Sequence, residues 1–549
     1  MKQCSKQLII YRITFLIILV LAYLPFLQKG LFSCWDDTYH LYRIYSIADA
    51  MKNGIFPVKI HFIECYGYGY GTGLFYPNLL FYFPALLVMC GMSLTLAYKI
   101  FVAVLMAAIW GTTYYSSYRL SQNPDAAFIA ATIVLLSNKM LNAFYLGMSL
   151  GIITGAVFMP LAIAGMVLLL AKDESPHMLI IGFTGLLYSH TISTFLSVCI
   201  CGIICLFYLK KLIKYLPVLI FSVGIVCLLT APYWLTMLEQ MHSQTFKVSA
   251  PWTTSEQNIE YLRTLTTENG IGTMVLIVLC ICLISITILL IRHKLTILEN
   301  CLKPTLLFLL VGIVLLILPL YYPFWHFMNS FVGIKILQFP YRLWGVATLL
   351  FAFTFACIYP AIMLHVHHNI LLRNLILVGI VLSAFINAHQ NFSSNYLQTN
   401  STAVNDIIQG KVAGLGGGEE WLPIMTTRDD MTEPETARDD AGNEIKGEKL
   451  NGCSQFVFTP NSSSTYYDIP YIYYKGYRAV TADGFRLSIV QNPDTGMIRI
   501  YMPDSHGEEN PVEITVSYHM TKYQVLSYIM LFIGLIIYGA YIMRRRLNH

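Results

Sequence analysis

Residues 271–291 read IGTMVLIVLCICLISITILLI and contain no charged side chain. A run of this length can cross about 30 Å of hydrocarbon as an α-helix. Comparable runs lie at 8–27, which is interrupted only by Arg12, and at 305–322. Of the 549 residues, 56% are hydrophobic and only 12% are charged, which is far from the composition of soluble domains. The sequence therefore predicts a polytopic α-helical membrane protein.

Apolar runs of this kind recur along the chain and predict about twelve membrane-spanning helices. Their expected positions are near residues 9–27, 75–92, 95–118, 126–143, 147–171, 178–209, 215–236, 271–291, 305–322, 341–364, 374–389 and 525–543. The tract 178–209 is long for one crossing and short for two, and His190 interrupts it, so a tilted helix and a helix pair both fit. The first run lacks a small-residue cleavage site behind it, which predicts an uncleaved anchor.

The positions of Lys and Arg predict the orientation, because short loops rich in these residues stay in the cytoplasm. The positive clusters lie at 2–12, 210–214, 292–303, 373 and 544–546. Both the N-terminus and the C-terminal tail are therefore expected to be cytoplasmic. Alternation then places residues 28–74, 237–270, 323–340 and 390–524 outside.

Residues 390–524 predict an extracytoplasmic β-rich domain. The stretch 414–418 is a glycine-rich hinge, and short strand-like runs follow it, separated by Pro, Asn, Asp and Gly. The predicted strands are 455–458, 466–474, 485–490, 497–501 and 513–518. The expected organisation is a multispanning membrane domain at 1–389 with a first outer loop at 28–74, the β-rich domain at 390–524, and a final spanning helix with a basic tail at 525–549.

The segment Cys34-Trp-Asp-Asp-Thr-Tyr-His-Leu-Tyr-Arg43 begins just beyond the first apolar run. Asp36, His40 and Arg43 have the spacing that puts side chains on one face of a helix, and Asp37 lies beside them. Acid, imidazole and guanidinium groups would then meet at the outer rim of the membrane. This combination suits acid–base chemistry, but charges that merely cap and solvate an interfacial helix produce the same pattern.

Alternating tyrosines and glycines, Tyr66-Gly-Tyr-Gly-Tyr-Gly71, follow in the same loop. This Gly-x-Gly-x-Gly pattern lacks the preceding strand and following helix of a nucleotide site. Tyr66 and Tyr68 are candidates for holding the face of a carbohydrate, although an ordinary aromatic belt at the bilayer surface explains the composition equally well. His190 is a further candidate, because an ionisable group within an apolar tract is often functional; a role in helix packing is the alternative.

These stretches resemble a known family when they are taken together with three more: Leu337-Gln-Phe-Pro-Tyr-Arg342, Glu420-Trp-Leu-Pro423 and the Tyr-rich residues 469–477. The family is that of the bacterial 6-pyruvoyl-tetrahydropterin-synthase-related multispanning membrane proteins, which are similar to YfhO-like and other GT-C glycosyltransferases. Its first outer loop typically reads Gly-His-Asp-x-x-Phe-His-Leu-x-Arg. The positions that match here are Asp36, His40, Leu41 and Arg43, whereas Cys34 and Trp35 replace Gly-His and Tyr39 replaces Phe.

The resemblance implies a GT-C-like fold and an integral protein of the bacterial plasma membrane. It implies transfer of a sugar from a polyprenyl-phosphate donor to a glycan or lipid acceptor of the cell envelope. Asp36 is the first choice for the catalytic carboxylate and Asp37 the second. The residues implied to bind substrate are His40, Arg43, Tyr66, Tyr68, His190, Gln338 and Arg342. An arginine suits the leaving phosphate, although Arg342 can equally be an interfacial anchor.

The sequence also bears on other partners and functions. The net charge of +5 shows no basic stripe with interleaved aromatics, so no nucleic-acid partner is expected. A divalent metal is compatible with the chemistry, but an isolated acidic pair supplies too few ligands for a dedicated site. The alternative function is a non-catalytic transporter or assembly factor for lipid-linked saccharides. The oligomeric state stays open.

Overall fold

The computed structural model shows a mostly helical chain with one β-barrel near the C-terminus. It describes residues 2–249, 261–292, 298, 301–328, 337, 339–365, 370–393, 401–460, 464–503 and 512–547. The chain divides into two compact units. The first unit comprises Met1–Trp35, Lys99–Val226 and Pro251–Asn400. The second comprises Asp36–Tyr98, Cys227–Ala250 and Ser401–His549.

The α-helices are numbered here in chain order. They are α1 Lys2–Tyr23, α2 Asp37–Lys52, α3 Thr72–Phe75, α4 Tyr82–Met89, α5 Leu94–Ser121, α6 Pro124–Leu135, α7 Asn138–Asn142, α8 Leu150–Lys172, α9 His177–Leu187, α10 Thr191–Phe207, α11 Leu209–Met241, α12 Thr273–Ile291, α13 Leu302–Ile317, α14 Tyr322–Met328, α15 Arg342–His365, α16 Ile370–Phe392, α17 Ser401–Ile408 and α18 Lys522–Leu547. A π-helical turn, Ala143–Gly147, extends α7.

Within the described residues, nine helices are long and apolar enough to cross a membrane, or ten if one bent pair counts as a single span. The nine are Ile10–Leu27, Leu94–Ser121, Leu150–Lys172, Leu209–Met241, Thr273–Ile291, Leu302–Leu320, Arg342–Leu364, Leu371–Phe392 and Lys522–Leu547. In the first unit, 89% of the apolar window of α15 is buried, against 17% of that of α16. An apolar helix that leaves its side chains uncovered is suited to a lipid environment, so these helices support a membrane protein.

Three predicted crossings take a different form. The segment 126–143 is the bent pair, in which Pro124–Leu135 and Asn138–Gly147 meet at 42°. The bend occurs because Ser137 starts a new helix, its side chain accepting a hydrogen bond from the Met140 amide. The tract 178–209 forms a helix pair, α9 and α10, and His190 caps α10 in the same way through the Ser193 amide.

The predicted crossing at 75–92 is wrong as a single long helix. Its helical part, Leu79–Met89, is shorter than a crossing requires. Pro77 lies between this helix and α3, and a proline disfavours helical conformation at the residue before it. The apolar composition of the segment is explained by packing, since Phe75, Phe81 and Ala85 are all buried in the second unit.

The predicted β-rich domain is confirmed and forms a closed antiparallel barrel. Its strands are β1 Thr436–Asp439, β2 Glu444–Leu450, β3 Gln455–Phe458, β4 Tyr466–Ile472, β5 Tyr477–Thr481, β6 Arg486–Gln491, β7 Met497–Tyr501 and β8 Ile514–Tyr518. Around the barrel they follow the order β1-β2-β3-β8-β5-β6-β7-β4. All five predicted strands exist, with edges shifted by at most a few residues, whereas β1, β2 and β5 were not predicted.

The barrel core continues into the loop that follows α2. Inward-facing Phe456, Tyr467 and Ile500 form one buried cluster with Tyr70 and Phe75 of that loop. Within this loop, residues 61 and 70 form an antiparallel β-bridge. The second unit therefore packs the loop after α2 and the barrel around a shared core.

Candidate functional site

The acidic pair occupies the start of α2. Asp36 precedes the helix, and its carbonyl oxygen accepts a hydrogen bond from the His40 amide at 3.1 Å. Asp37 Oδ1 accepts hydrogen bonds from the Thr38 amide at 2.6 Å and from Thr38 Oγ1 at 3.1 Å. The positive end of the helix dipole favours carboxylates at this position. Asp37 is only 7% exposed, whereas Asp36 is half-buried, so Asp36 is the more accessible of the two.

His40 and Arg43 lie on one face of α2, as their spacing predicts. The His40 ring is nearly parallel to the Phe81 ring, with centroids 5.9 Å apart. The Arg43 guanidinium carbon lies 3.8 Å from the Phe81 centroid and 4.4 Å from that of Tyr76. Both side chains are buried. This face of α2 therefore packs inside the second unit and does not project into open solvent.

The buried guanidinium of Arg43 stabilises the turn at residues 76–78. Its Nη2 donates hydrogen bonds to the carbonyl oxygens of Pro77 at 2.6 Å and Tyr76 at 3.2 Å. Its Nε donates to Asn78 Oδ1 at 3.0 Å. Burial lowers the pKa of Arg43. Arg43 thus positions the turn, and Nη1, which makes no hydrogen bond within the described residues, is the atom that can reach a further acceptor.

A chain of buried polar groups continues from this arginine. Because Asn78 Oδ1 faces Arg43, Asn78 Nδ2 donates to the Val58 carbonyl oxygen and faces His61 Nε2, each at 3.1 Å. His61 Nε2 must then accept, so Nδ1 carries the proton and donates it to Glu64 Oε1 at 2.7 Å. Burial raises the pKa of Glu64, while His61 and Arg43 oppose that rise. The spacing of these residues in the sequence did not predict this series of hydrogen bonds.

Asp36 shares its surroundings with two tyrosines and a glutamate. The pKa of Tyr76 is raised mainly by burial, and the negative charge of Asp36 contributes to the rise. Burial raises the pKa of Tyr39 to about 12, with the charge of Glu420 adding to this rise and that of Arg43 opposing it. Burial also raises the pKa of the Glu420 carboxyl group. These electrostatic links connect Asp36 with Tyr76, Tyr76 with Tyr39, and Tyr39 with Glu420, all within the second unit.

Glu420 lies in a motif that is recognisable in the sequence, but a role for this residue in the site was not predicted. It opens the Glu420-Trp-Leu-Pro423 motif. The adjacent Trp421 stacks on Phe75 with ring centroids 5.0 Å apart and 2° between the planes. The Trp421 amide also donates to the Tyr70 hydroxyl at 3.1 Å. Phe75 and Tyr70 therefore hold Trp421 in position, and this also limits where the adjacent Glu420 can lie.

The predicted carbohydrate-binding tyrosines have separate environments. Tyr66 is 37% exposed, and its backbone adopts a φ of 57°. Tyr68 is buried in the barrel cluster, and its hydroxyl accepts a hydrogen bond from the Glu433 amide at 3.1 Å. Tyr66 therefore keeps a surface available for a ligand, whereas the contacts of Tyr68 are those of a packing residue.

The remaining candidates belong to the first unit or lie outside the described residues. His190 precedes α10, and its Nδ1 lies 2.9 Å from Ser193 Oγ. Arg342 begins α15, and its Nη1 donates to the Leu337 carbonyl oxygen at 3.2 Å. The charge of Arg342 acts on His190, so these two candidates are electrostatically linked. Gln338 lies outside the described residues.

Side chains that could bind a metal are scattered in the described part of the chain. Across the described ranges, no group of three or more His, Cys, Asp or Glu side chains has the arrangement of a metal site. The acidic pair of α2 by itself supplies two carboxylates, and Asp37 is already bonded to Thr38.

Comparisons with models of known protein families, with curated proteins and with solved structures find no match.

Proposed function

We propose that the chain is an integral membrane glycosyltransferase of the GT-C type. It transfers a sugar from a polyprenyl-phosphate donor to a glycan or lipid acceptor of the bacterial cell envelope, at the outer face of the plasma membrane. The proposal depends on one observation above all: an acidic pair begins α2 shortly after the first candidate span, Ile10–Leu27. A lipid-linked donor presents its phosphate and sugar at the edge of the hydrocarbon, where such a pair can act.

In this reaction Asp36 accepts the proton of the acceptor hydroxyl. The acceptor oxygen forms a bond to the anomeric carbon of the donor sugar. The bond from that carbon to the phosphate oxygen breaks, and the lipid phosphate leaves with the electron pair. A positioned general base contributes about 10²–10⁴-fold to such a step. Asp36 suits this role better than Asp37, because Asp37 is almost fully buried and bonded to Thr38.

The groups around Asp36 have the chemistry that sugar recognition requires. Tyr39 and Tyr76 combine an aromatic face with a hydroxyl group, and Glu420 can accept hydrogen bonds from sugar hydroxyls. Arg43 holds the turn that carries Tyr76 through two backbone carbonyl groups. Arg43 is thus a positioning residue in this proposal, and Asp36 is the catalytic one.

The count of candidate spans bears on the proposed orientation. If the bent pair crosses as one span, the ten candidate spans of the described chain return the C-terminal tail to the side of the N-terminus, whereas nine crossings would place the two ends on opposite sides. An even number agrees with cytoplasmic placement of both basic ends, since α18 finishes with Arg544, Arg545 and Arg546. The barrel, which immediately precedes α18, then lies outside.

Sugar transfer by purified protein tests the proposal. The variants are Asp36→Asn and Asp37→Asn, with Asp49→Asn near the other end of α2 as the matched control. Asp36→Asn should lower the rate of transfer from a polyprenyl-phosphate-linked sugar by about 10²-fold or more. Asp49→Asn should stay within about twofold, because surface-proximal changes outside a site have small effects. Full activity in both Asp36→Asn and Asp37→Asn would falsify the catalytic assignment.

A non-catalytic transporter or assembly factor is the second candidate. It is favoured by the finding that His40, Arg43 and Tyr68 make the contacts of packing residues. Such a protein should bind the lipid-linked sugar without any turnover, and Asp36→Asn should leave that binding unchanged. Measuring donor binding and transfer on the same preparation separates the two candidates.

A further inference from the structure

A cavity of about 310 Å³ lies in the second unit, where the loop after α2 meets β3, β8 and the residues leading into α18. Its polar lining comprises Lys59, Ser454, Gln455, Ser517, Tyr518 and His519. Ammonium, hydroxyl, amide and imidazole groups can all donate hydrogen bonds. Among the described residues that line it, none is acidic. The cavity is therefore suited to an anion.

Lys59 is a buried cation in this lining, with 7% of the residue exposed. Its Nζ donates to the Pro232 carbonyl oxygen at 3.2 Å and to Thr236 Oγ1 at 3.5 Å. Its Nζ also lies 5.5 Å from the centroid of the Tyr528 ring. None of these neutral partners neutralises the charge, and an ammonium group has three N–H donors. Burial lowers the pKa of Lys59 to about 8, which leaves it mainly charged at neutral pH. In the described part of the chain, no carboxylate forms an ion pair with Lys59. A buried charge without an ionic partner lowers the stability of the fold, and a bound anion would remove this cost.

The charges near His519 are also positive. The pKa of His519 is lowered by burial and then by the charges of Arg478 and Arg486. His519 Nε2 lies 3.0 Å from Ser517 Oγ, which orients both groups at the cavity wall. Arg478 and Arg486 therefore place positive charge near His519 on the barrel side.

The rim of the cavity is apolar and exposed. Phe56 is 71% exposed and Met520 is 41% exposed. Met520 shortly precedes α18, which is one of the candidate spans. A water-soluble anion gains nothing from such a rim, whereas the glycerol and acyl chains of a lipid bury it.

We propose that this cavity binds the phosphodiester headgroup of an anionic membrane lipid, with Lys59 as its principal charged contact. The site shares no residue with the neighbourhood of Asp36, and the inference does not rest on sugar transfer. A lipid at this position would hold the loop after α2, the barrel and the start of α18 together at the membrane surface.

Lipid retention by the delipidated full-length chain in detergent tests this site. Phosphatidylglycerol and phosphatidylcholine of equal chain length are titrated, and bound lipid is counted by mass spectrometry of the intact protein. Phosphatidylglycerol should be retained about tenfold more strongly, and Lys59→Met should remove that preference, since one charge-assisted contact is worth about a factor of ten. Lys59→Arg should retain the preference, and so should Lys52→Met, which removes an exposed lysine at the end of α2.

A second variant keeps the test valid if Lys59→Met fails to fold. Ser517→Trp fills the cavity from a half-exposed strand position and keeps Lys59 in place. It should also abolish the preference for phosphatidylglycerol. Equal retention of the two lipids by the natural sequence, or an unchanged preference in Ser517→Trp, would overturn the proposal. Displacement of phosphatidylglycerol by a large excess of inorganic phosphate would show a site for soluble phosphate and overturn its assignment to a lipid.

Discussion

Glu64 is a buried carboxyl group with a one-sided set of contacts. Its Oε1 accepts a hydrogen bond from His61, whereas Oε2 makes none within the described residues. Burial raises the pKa of Glu64 above its ordinary value. The folded state therefore favours the protonated acid more than the unfolded chain does. Its contribution to stability is complete at pH values below the unfolded pKa and is lost as the pH rises through the folded pKa.

Glu64→Gln should reduce the loss of stability with rising pH. Glutamine keeps a carbonyl oxygen for the His61 proton but cannot ionise. The variant should match the natural sequence at about pH 5 and exceed its stability by about 1–3 kcal/mol near pH 8, which is the usual cost of an unsatisfied buried acceptor. Thermal unfolding in detergent across this range measures the difference, and Glu435→Gln on the barrel surface is the control. Parallel pH profiles for the natural sequence and Glu64→Gln would contradict the buried-acid account.

Spacing along α2 was enough to predict that His40 and Arg43 share a face. It could not predict what that face contacts, because Phe81 and Asn78 arrive from a later segment. Glu64 and His61 lie in the loop that follows α2 and belong to the same series of hydrogen bonds. Glu420 comes from a segment more than three hundred residues away, and only its motif marked it. Local periodicity determines which residues share a face, while the partners of that face depend on tertiary packing.

At the scale of elements, two of the three strands that were missed are polar. β1 and β2 carry the sequences TARD and EIKGEKL, in which charged residues dominate and the buried positions are few. Their inward positions, such as Ala437 and Ile445, are too sparse to show a period of two. The bend after α6 was missed for a comparable reason, since a capping serine within an apolar run leaves the hydropathy unchanged.

The helix α18 is the element that separates the barrel from the basic tail. Only 11% of its apolar window is buried, as expected of a helix that faces lipid on most sides. Lys446→Cys on β2 and Arg546→Cys in the tail are introduced separately into a cysteine-depleted chain. A membrane-impermeant maleimide should label position 446 in intact cells and position 546 only after permeabilisation. Labelling of position 546 in intact cells, with position 446 protected, would reverse the proposed orientation.

At the scale of the whole molecule, apolar runs were sufficient to predict long apolar helices, and short strand-like runs separated by turn residues were sufficient to predict a β-rich region near the C-terminus. Closure of the barrel was not predictable, because it depends on β3 pairing with β8 and β1 pairing with β4. Both pairings join strands that are distant in sequence. The shared core of the barrel and the loop after α2 was equally unpredictable, because the sequence alone shows Tyr70 and Phe75 as interfacial aromatic residues and does not show their packing partners.

The central claim is that a lipid-linked sugar reacts beside Asp36. A structure of the chain with a non-transferable polyprenyl-phosphonate sugar measures this most directly. The account predicts that the anomeric carbon lies within about 6 Å of the Asp36 carboxylate, which leaves room for one acceptor oxygen between them. A donor analogue held near the middle of the bilayer, away from the start of α2, would contradict the claim and indicate a transporter.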